Sequence, residues 1–398
     1  MEARPEIQDS GVAKRWLGVG RCNDRESRSA GSTAARQAIQ GPDPKLLVVF
    51  CSDMYDFEAL LAGINESSGG VPLIGCSTAG EIATEGPSDA SVVVTALGGS
   101  GFSVRTSAAE QVSTRLREAG AEVASTTAAI EDRPHNVLLM LTDGLAGDQQ
   151  EILRGAYGVL GAEVPLVGGC AGDDLKMTST FQFHGEQVLG DAIVAARIAS
   201  DSPLGIGVRH GWRKVGDPML VTKSSNNRVY TIDDHPALDV YLDHLDAPGD
   251  ARSNSESFTR FALTHPLGLS RRSGEEHVRF IGEADFEDRS LGCIAEVPQG
   301  ALVWIMEGDE ESVLHATDRA CSDALSTLEG RPPLGMLAFD CIARRGVLGE
   351  HGIKTEIERV SQLGAGAPVA GFYTYGEIAR VHGLSGFHNQ TLVVLAVS

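Results

Sequence analysis

The chain has 398 residues, with 33 Lys and Arg against 54 Asp and Glu, for a formal net charge of −21. That balance argues against sequence-independent DNA binding, which neutralises phosphates with Lys and Arg, and against docking on an anionic membrane surface. A hydrophobic fraction of 42% excludes global disorder, and 47 glycines without a G-X-Y period exclude collagen.

In chain order, residues 1–14 read as a disordered tail without the apolar stretch of a secretory signal. Ser27–Gln40 is Ala-rich and helix-like, and Lys45–Phe50 is a short buried strand bounded by Pro44 and Ser52. Helix is expected near Phe57–Ile64, then strands at Val71–Ile74 and Ser91–Leu97. Between 107 and 132, Val112, Leu116, Ala119, Val123 and Ile130 keep spacings of 4, 3, 4 and 7, one face of a long amphipathic helix. Asn136–Leu141 is a strand whose turn, Thr142–Asp148, opens a helix with Asp148 and Glu151 at capping-box spacing. Strand-like runs then crowd together from Val164 to Ile232.

The polar stretch 246–257 reads as a flexible insertion. A second α/β part follows, with a helix from N-cap Asp309 to the stop at Gly330, a strand at Leu334–Cys341, a helix at His351–Leu363 and closing strands at Val369–Tyr373 and Thr391–Val397. The expected fold class is α/β (mixed α+β): a two-part chain with mixed sheets flanked by helices.

Three segments repeat one pattern: Val71-Pro-Leu-Ile-Gly75 running to Gly80-Glu81, Val164-Pro-Leu-Val-Gly168 running to Gly172-Asp173, and Ala367-Pro-Val-Ala-Gly371 running to Gly376-Glu377. Proline suits a strand entry, where a missing N–H does least harm. Glycine permits close backbone approach. Each segment therefore reads as a strand opening into a tight loop with one fixed carboxylate, or simply as a tight turn.

These residues resemble a known family. Gly75-Cys-Ser-Thr-Ala-Gly-Glu81, Asp143-Gly-Leu145 and Gly168-Gly-Cys-Ala-Gly-Asp173 resemble the N-terminal half of the FIST sensory domain. Asp340-Cys341 with Arg344-Arg345, Gly371-Phe-Tyr-Thr-Tyr-Gly-Glu377 and Phe387-His-Asn-Gln-Thr391 resemble its C-terminal half. The resemblance implies an N-terminal domain over 15–235 and a C-terminal domain over 236–398. It also implies an intracellular sensory module for signal transduction, with a small molecule, such as an amino acid, as ligand and a separate output protein as partner. The polar stretch 246–257 and the pair Arg271-Arg272 stand outside the motif pattern.

A zwitterion needs donors for its carboxylate and a carboxylate for its ammonium. Candidate ligand-binding residues are Cys76, Ser77, Thr78, Glu81, Asp173, Arg344, Tyr373, Tyr375, Glu377, His388 and Asn389. Glu81 and Glu377 suit an amine. Arg344 or Arg345 suits a carboxylate, or the two are a solvated pair after a strand. Tyr373 and Tyr375 line a pocket or pack in the core. His388 and Asn389 point into a site or cap a turn, and Asp143 serves the strand-to-helix turn.

No enzymatic activity is expected. One alternative is a thiol-dependent hydrolase with Cys76 as nucleophile, which would need a nearby base and a lowered thiol pKa. A ligand-free interaction scaffold is another. No cofactor or metal is expected: Gly18-x-Gly20-x-x-Asn23 breaks the dinucleotide fingerprint, no Gly-Lys-Ser/Thr loop occurs, and no ligand cluster stands out. Seven scattered cysteines without a Cys-x-x-Cys pair read as buried free thiols in a cytoplasmic protein. No apolar run is long enough to span a membrane.

Overall fold

The computed structural model describes residues 14–131, 133–270, 277–380 and 386–398. The expected tail, but for Lys14, and the pair Arg271-Arg272 lie outside the described residues.

The mixed α/β class is present in a finer form, three units of one topology. The first unit runs β1 (Trp16–Cys22), α1 (Ser27–Ala38), β2 (Pro44–Cys51), α2 (Phe57–Ser68), β3 (Leu73–Ser77), a hairpin of β4 (Glu81–Ala83) and β5 (Gly86–Ser88), and β6 (Val92–Gly98). The second repeats it: β7 (Phe102–Glu110), α3 (Leu116–Ala128), β8 (His135–Thr142), α4 (Gln149–Leu160), β9 (Leu166–Cys170), the hairpin β10 (Phe181–His184) and β11 (Gln187–Gly190), and β12 (Ala192–Ser200).

The third unit opens with β13 (Leu204–Arg209) and is interrupted by an inserted sheet. The insertion holds β14 (Arg213–Ser225), β15 (Arg228–Ile232), β16 (His235–Pro236), α5 (Ala237–His244), α6 (Ser255–Ala262), β17 (Leu267–Leu269), β18 (His277–Arg279), β19 (Ile281–Asp285), β20 (Ser290–Cys293) and β21 (Leu302–Glu307). The unit resumes with α7 (Glu310–Ser326), β22 (Gly335–Cys341), α8 (Ile342–Leu363), β23 (Val369–Thr374), the hairpin β24 (Glu377–Arg380) and β25 (Phe387–His388), and β26 (Leu392–Val397).

Local sequence explains the helix ends. Asp56 accepts from the Ala59 amide and Gly69 closes α2 in the left-handed region. Asp309 and Ser312 form a capping box on α7. Asp148 caps α4 through the Gln150 amide, while Glu151 pairs with Arg154 rather than completing a box. The long helix expected over 107–132 is present only as α3, Leu116–Ala128: its first residues, Ser107–Glu110, belong to β7 and pair with β12, and Val112–Thr114 form a 3-10 turn. Sheet pairing overrides the helical spacing there. The stretch 246–257 forms turns leading into α6, with Ala247 and Ala251 buried.

Each unit lends its hairpin to a neighbour. The sheet orders are β1-β6-β2-β3-β10-β11, β7-β12-β8-β9-β24-β25 and β13-β26-β22-β23-β4-β5. Unit 2 thus completes the sheet of unit 1, unit 3 that of unit 2, and unit 1 that of unit 3. The exchange closes a ring.

The inner faces of the three sheets share one core. Phe50 of the first sheet meets Phe372 of the third at 4.8 Å between ring centroids, and Leu139 of the second belongs to the same cluster. Helix pairs cover the outer faces, with α1 and α2 over Leu47 and Val49, and α7 and α8 over Met336 and Ala338. The inserted sheet keeps a separate core around Val221, Tyr241, Phe258 and Leu291.

The repeated glycines fall at one register position. Gly75, Gly168 and Gly371 pair with Val49, Met140 and Ala338 of the parallel neighbours β2, β8 and β22. A Cβ at Gly371 would stand 1.8 Å from the Ala338 carbonyl oxygen. Gly371→Ala should therefore destabilise by about 2–3 kcal/mol, because overpacking must push two central strands apart. A urea midpoint within error of wild type would show that this pair of strands can separate. Gly18 and Gly20 serve packing as well, since a Cβ at Gly20 would lie 2.1 Å from the Ala34 carbonyl oxygen of α1.

Candidate functional site

The loops following β3, β9 and β23 interlock where the three sheets meet. The Ser77 hydroxyl donates to the Gly172 carbonyl at 2.8 Å and accepts from the Phe181 amide at 3.0 Å. The amides of Ala79 and Tyr373 bond the carbonyls of Tyr373 and Gly80. The Thr374 hydroxyl donates to the Cys170 carbonyl at 2.7 Å. Most of the sequence-derived candidates are components of this joint.

Glu81 and Glu377 are equivalent by register. Each sits on an exchanged strand, Glu81 opposite Phe372 and Glu377 opposite Gly169. Both are fully buried. Glu81 contacts the Thr78 hydroxyl at 2.6 Å and accepts from the Ser91 amide and hydroxyl at 3.0 and 2.8 Å. Glu377 accepts from the Thr391 amide and hydroxyl at 3.0 and 2.8 Å. Burial pushes both carboxyls up to about 8, against the pull of those hydrogen bonds. The equivalent position in the first sheet, opposite Cys76, is Gln182, the neutral isostere of glutamate.

Asp173 accepts from the amides of Met177, Thr178 and Ser179. Burial raises its carboxyl, but hydrogen bonds from Tyr375 and these amides leave it below the ordinary range. Arg344 is wholly buried, bonded to Asp340 at 2.6 Å and Glu356 at 2.5 Å. Its fork is occupied by carboxylates of this chain. Tyr373 is buried in the third unit with the Arg345 guanidinium 5.0 Å from its ring centre. His388 meets the Ala379 carbonyl at 2.9 Å and stacks on His277, and Asn389 is buried beside it. Cys76 is fully buried, and burial drives its thiol well above the usual range, opposite to what an attacking thiolate needs.

Tyr375 is placed differently. The strand ends at Thr374, and Tyr375 beyond it is only partly buried, packed against the cores of both the second and the third units. It lines a cavity of about 710 Å³, within the usual size for a small-molecule site. Three parts of the molecule wall it. The turn between β8 and α4 supplies Gly144, Leu145 and Asp148, and α4 supplies Arg154; the exchanged hairpin region supplies Tyr375 and Phe387; the inserted sheet supplies Asn226, Asn227, Ile294 and Glu296.

Each wall is pinned. Asp143 holds the β8–α4 turn by accepting from the Leu145 amide at 2.7 Å, the Thr180 hydroxyl at 2.8 Å and the Asp191 amide at 3.1 Å. Gln149 donates to the Asp143 carbonyl at 2.8 Å. On the facing wall, the Asn227 side chain donates to the Cys293 carbonyl at 2.7 Å. The lining thus offers carboxylates at Asp148, Glu151 and Glu296, the Arg154 guanidinium that Glu151 engages, and an apolar floor at Leu145, Ile294 and Phe387. Opposite charges beside an apolar floor suit a zwitterion with a compact side chain. Among the described residues, no group of three or more His, Cys, Asp or Glu could hold a metal ion.

Two family models match, the FIST N domain over residues 45–235 and the FIST C domain over 237–380. The chain belongs to the FIST family. FIST domains are sensory domains of signal transduction. The two FIST matches meet within the inserted sheet, at β16, so the third unit contributes to both. Relatives of similar extent include the uncharacterized protein Rv0628c of Mycobacterium tuberculosis (strain H37Rv), 26% identical and covering 94% of this chain and 97% of its own length. The uncharacterized protein Mb0898c of Mycobacterium bovis is 25% identical with the same coverage. The uncharacterized protein MJ1623 of Methanocaldococcus jannaschii is 29% identical over 41% of this chain and 33% of its own length. Among the described residues, no helix is long and apolar enough to cross a membrane.

Sequence reasoning singled out Tyr375 but passed over Asp148, Arg154, Asn226 and Glu296, which line the same cavity. Nothing in their local sequence marks them, because only the insertion brings Asn226 and Glu296 to face Asp148 and Arg154.

Proposed function

We propose that this FIST protein senses a small zwitterionic metabolite, with an amino acid as the leading candidate, in the cavity beneath the inserted sheet, and signals through a separate partner protein. The observation that carries this reading is the cavity's construction from three otherwise separate parts. A ligand touching all three favours the arrangement that brings them together, and a partner can read that population. Arg154 is assigned to the ligand carboxylate, Asp148 and Glu296 to its ammonium, and Tyr375 with Phe387 to its side chain. Cys76, Ser77, Thr78, Glu81, Asp173, Tyr373, Glu377, His388 and Asn389 are assigned to the framework that holds Tyr375 in place, and Arg344 to the third unit.

A thermal-shift panel of amino acids tests the reading. A ligand at a hundred times its Kd adds about 2.7 kcal/mol by linkage, and Glu296→Gln should weaken that gain without loss of fold. A panel that leaves Tm unmoved would overturn it.

A further inference from the structure

Tyr375 faces two ways. Its ring lines the cavity, while its hydroxyl accepts from the amides of Asp173 at 3.2 Å and Leu175 at 2.7 Å and donates to the Asp173 carboxylate. Asp173 in turn gathers the amides of Met177, Thr178 and Ser179. Segment 173–179 is therefore organised around one phenol and one carboxylate.

What this segment displays is unusual. Leu175 is 60% exposed and Met177 55% exposed. Asp174, Leu175 and Met177 have φ of 53°, 62° and 54°, a left-handed conformation that bulky side chains rarely take. Backbone of that kind persists where its surroundings hold it, and it clusters at binding sites and switches. Lys176 is engaged by Asp53 of the neighbouring loop, and Met54 beside Asp53 is 47% exposed. Asp173 is buried and Asp53 is paired with Lys176, which leaves the exposed Asp56 and Asp174 as the unbalanced charges of the two loops. The patch is apolar with an acidic rim, so charge complementarity favours a basic occupant.

We propose that segment 173–179, with Met54 beside it, docks a cationic amphipathic segment of a partner protein, and that Tyr375 couples this docking to the cavity. The coupling rests on the ligand-binding reading above; the docking does not. The probe is a fluorescent amphipathic peptide of Leu and Lys, compared with a scrambled peptide of the same composition on the full chain. The amphipathic peptide should bind about tenfold tighter than the scrambled one. Leu175→Ser with Met177→Ser, at exposed positions, should keep Tm and abolish that preference. A preference that survives the double substitution overturns the docking. Self-association of wild type that the double substitution dissolves also overturns it, because the occupant would then be a second copy.

Tyr375→Phe keeps the ring and removes the hydroxyl. It should speed hydrogen exchange at the 175–179 amides about tenfold or more, by freeing a segment otherwise held closed, and weaken the amphipathic peptide. Unchanged exchange and peptide affinity in Tyr375→Phe overturn the coupling. Failure of the amino acid panel with an intact peptide preference would remove the cavity reading alone.

Discussion

Glu81→Gln and Glu377→Gln should each leave the protein folded, and each should make it more stable than wild type at pH 8. The advantage over wild type should grow by about 3 kcal/mol per substitution between pH 5 and pH 8. Both carboxyls are buried, and burial lifts them from an ordinary value near 4.5 to about 8. The sign follows from linkage. Below the unfolded pKa both states are protonated and the folded state carries no penalty. As pH rises towards 8, the unfolded chain gives up its proton while the folded one keeps it, so stability falls. Glutamine abolishes that proton exchange. The molecule already contains the variant, since Gln182 holds the equivalent position in the first sheet. Urea denaturation of wild type and variants across pH 5 to 9 is the measurement. Parallel curves would mean that the two glutamates are ionised in the native state.

Arg344→Met should destabilise the protein by about 3–5 kcal/mol, the range for stripping one partner from a buried ion pair. Arg344, Asp340 and Glu356 are all buried, and the Thr317 hydroxyl donates to Glu356 at 2.6 Å and accepts from Arg344 at 3.0 Å. Burial, then the neighbouring Glu356, push the Asp340 carboxyl well above its usual range, against the pull of the Arg344 guanidinium. Without Arg344, Glu356 is left as an uncompensated charge between α7 and α8. Adding Glu356→Gln to Arg344→Met should recover a substantial part of the loss. No recovery in the double variant would place the effect in packing rather than in charge.

The repeated Pro-to-Gly-to-acid segments were legible because each copy obeys the same local rule. A strand that must approach its parallel neighbour's carbonyl needs glycine at that register, and the pattern shows it at Gly75, Gly168 and Gly371. Their destination was not legible. The strand following each loop crosses to another unit's sheet, and nothing within β4, β10 or β24 names its partner. The same gap explains the candidate site. Glu81, Glu377 and Arg344 are residue types that bind zwitterions, and in a sequence they look available. Burial and internal partners are properties of the folded chain, and they engage Glu81 with Thr78 and Ser91, Glu377 with Thr391, and Arg344 with Asp340 and Glu356.

The glycine excess and the acidic balance can be divided on the same line. Composition, periodicity and motif order determine the mixed α/β class, the places of many of the central strands and helices, and membership of the FIST family. These depend on interactions over a few residues or on patterns that survive without the fold. The ring of exchanged hairpins, the neutral state assigned to two buried glutamates, and the cavity uniting Arg154, Glu296 and Tyr375 belong to the tertiary structure alone. They arise from contacts between residues up to hundreds of positions apart, and only packing decides which of those meet, which lose water, and which remain exposed.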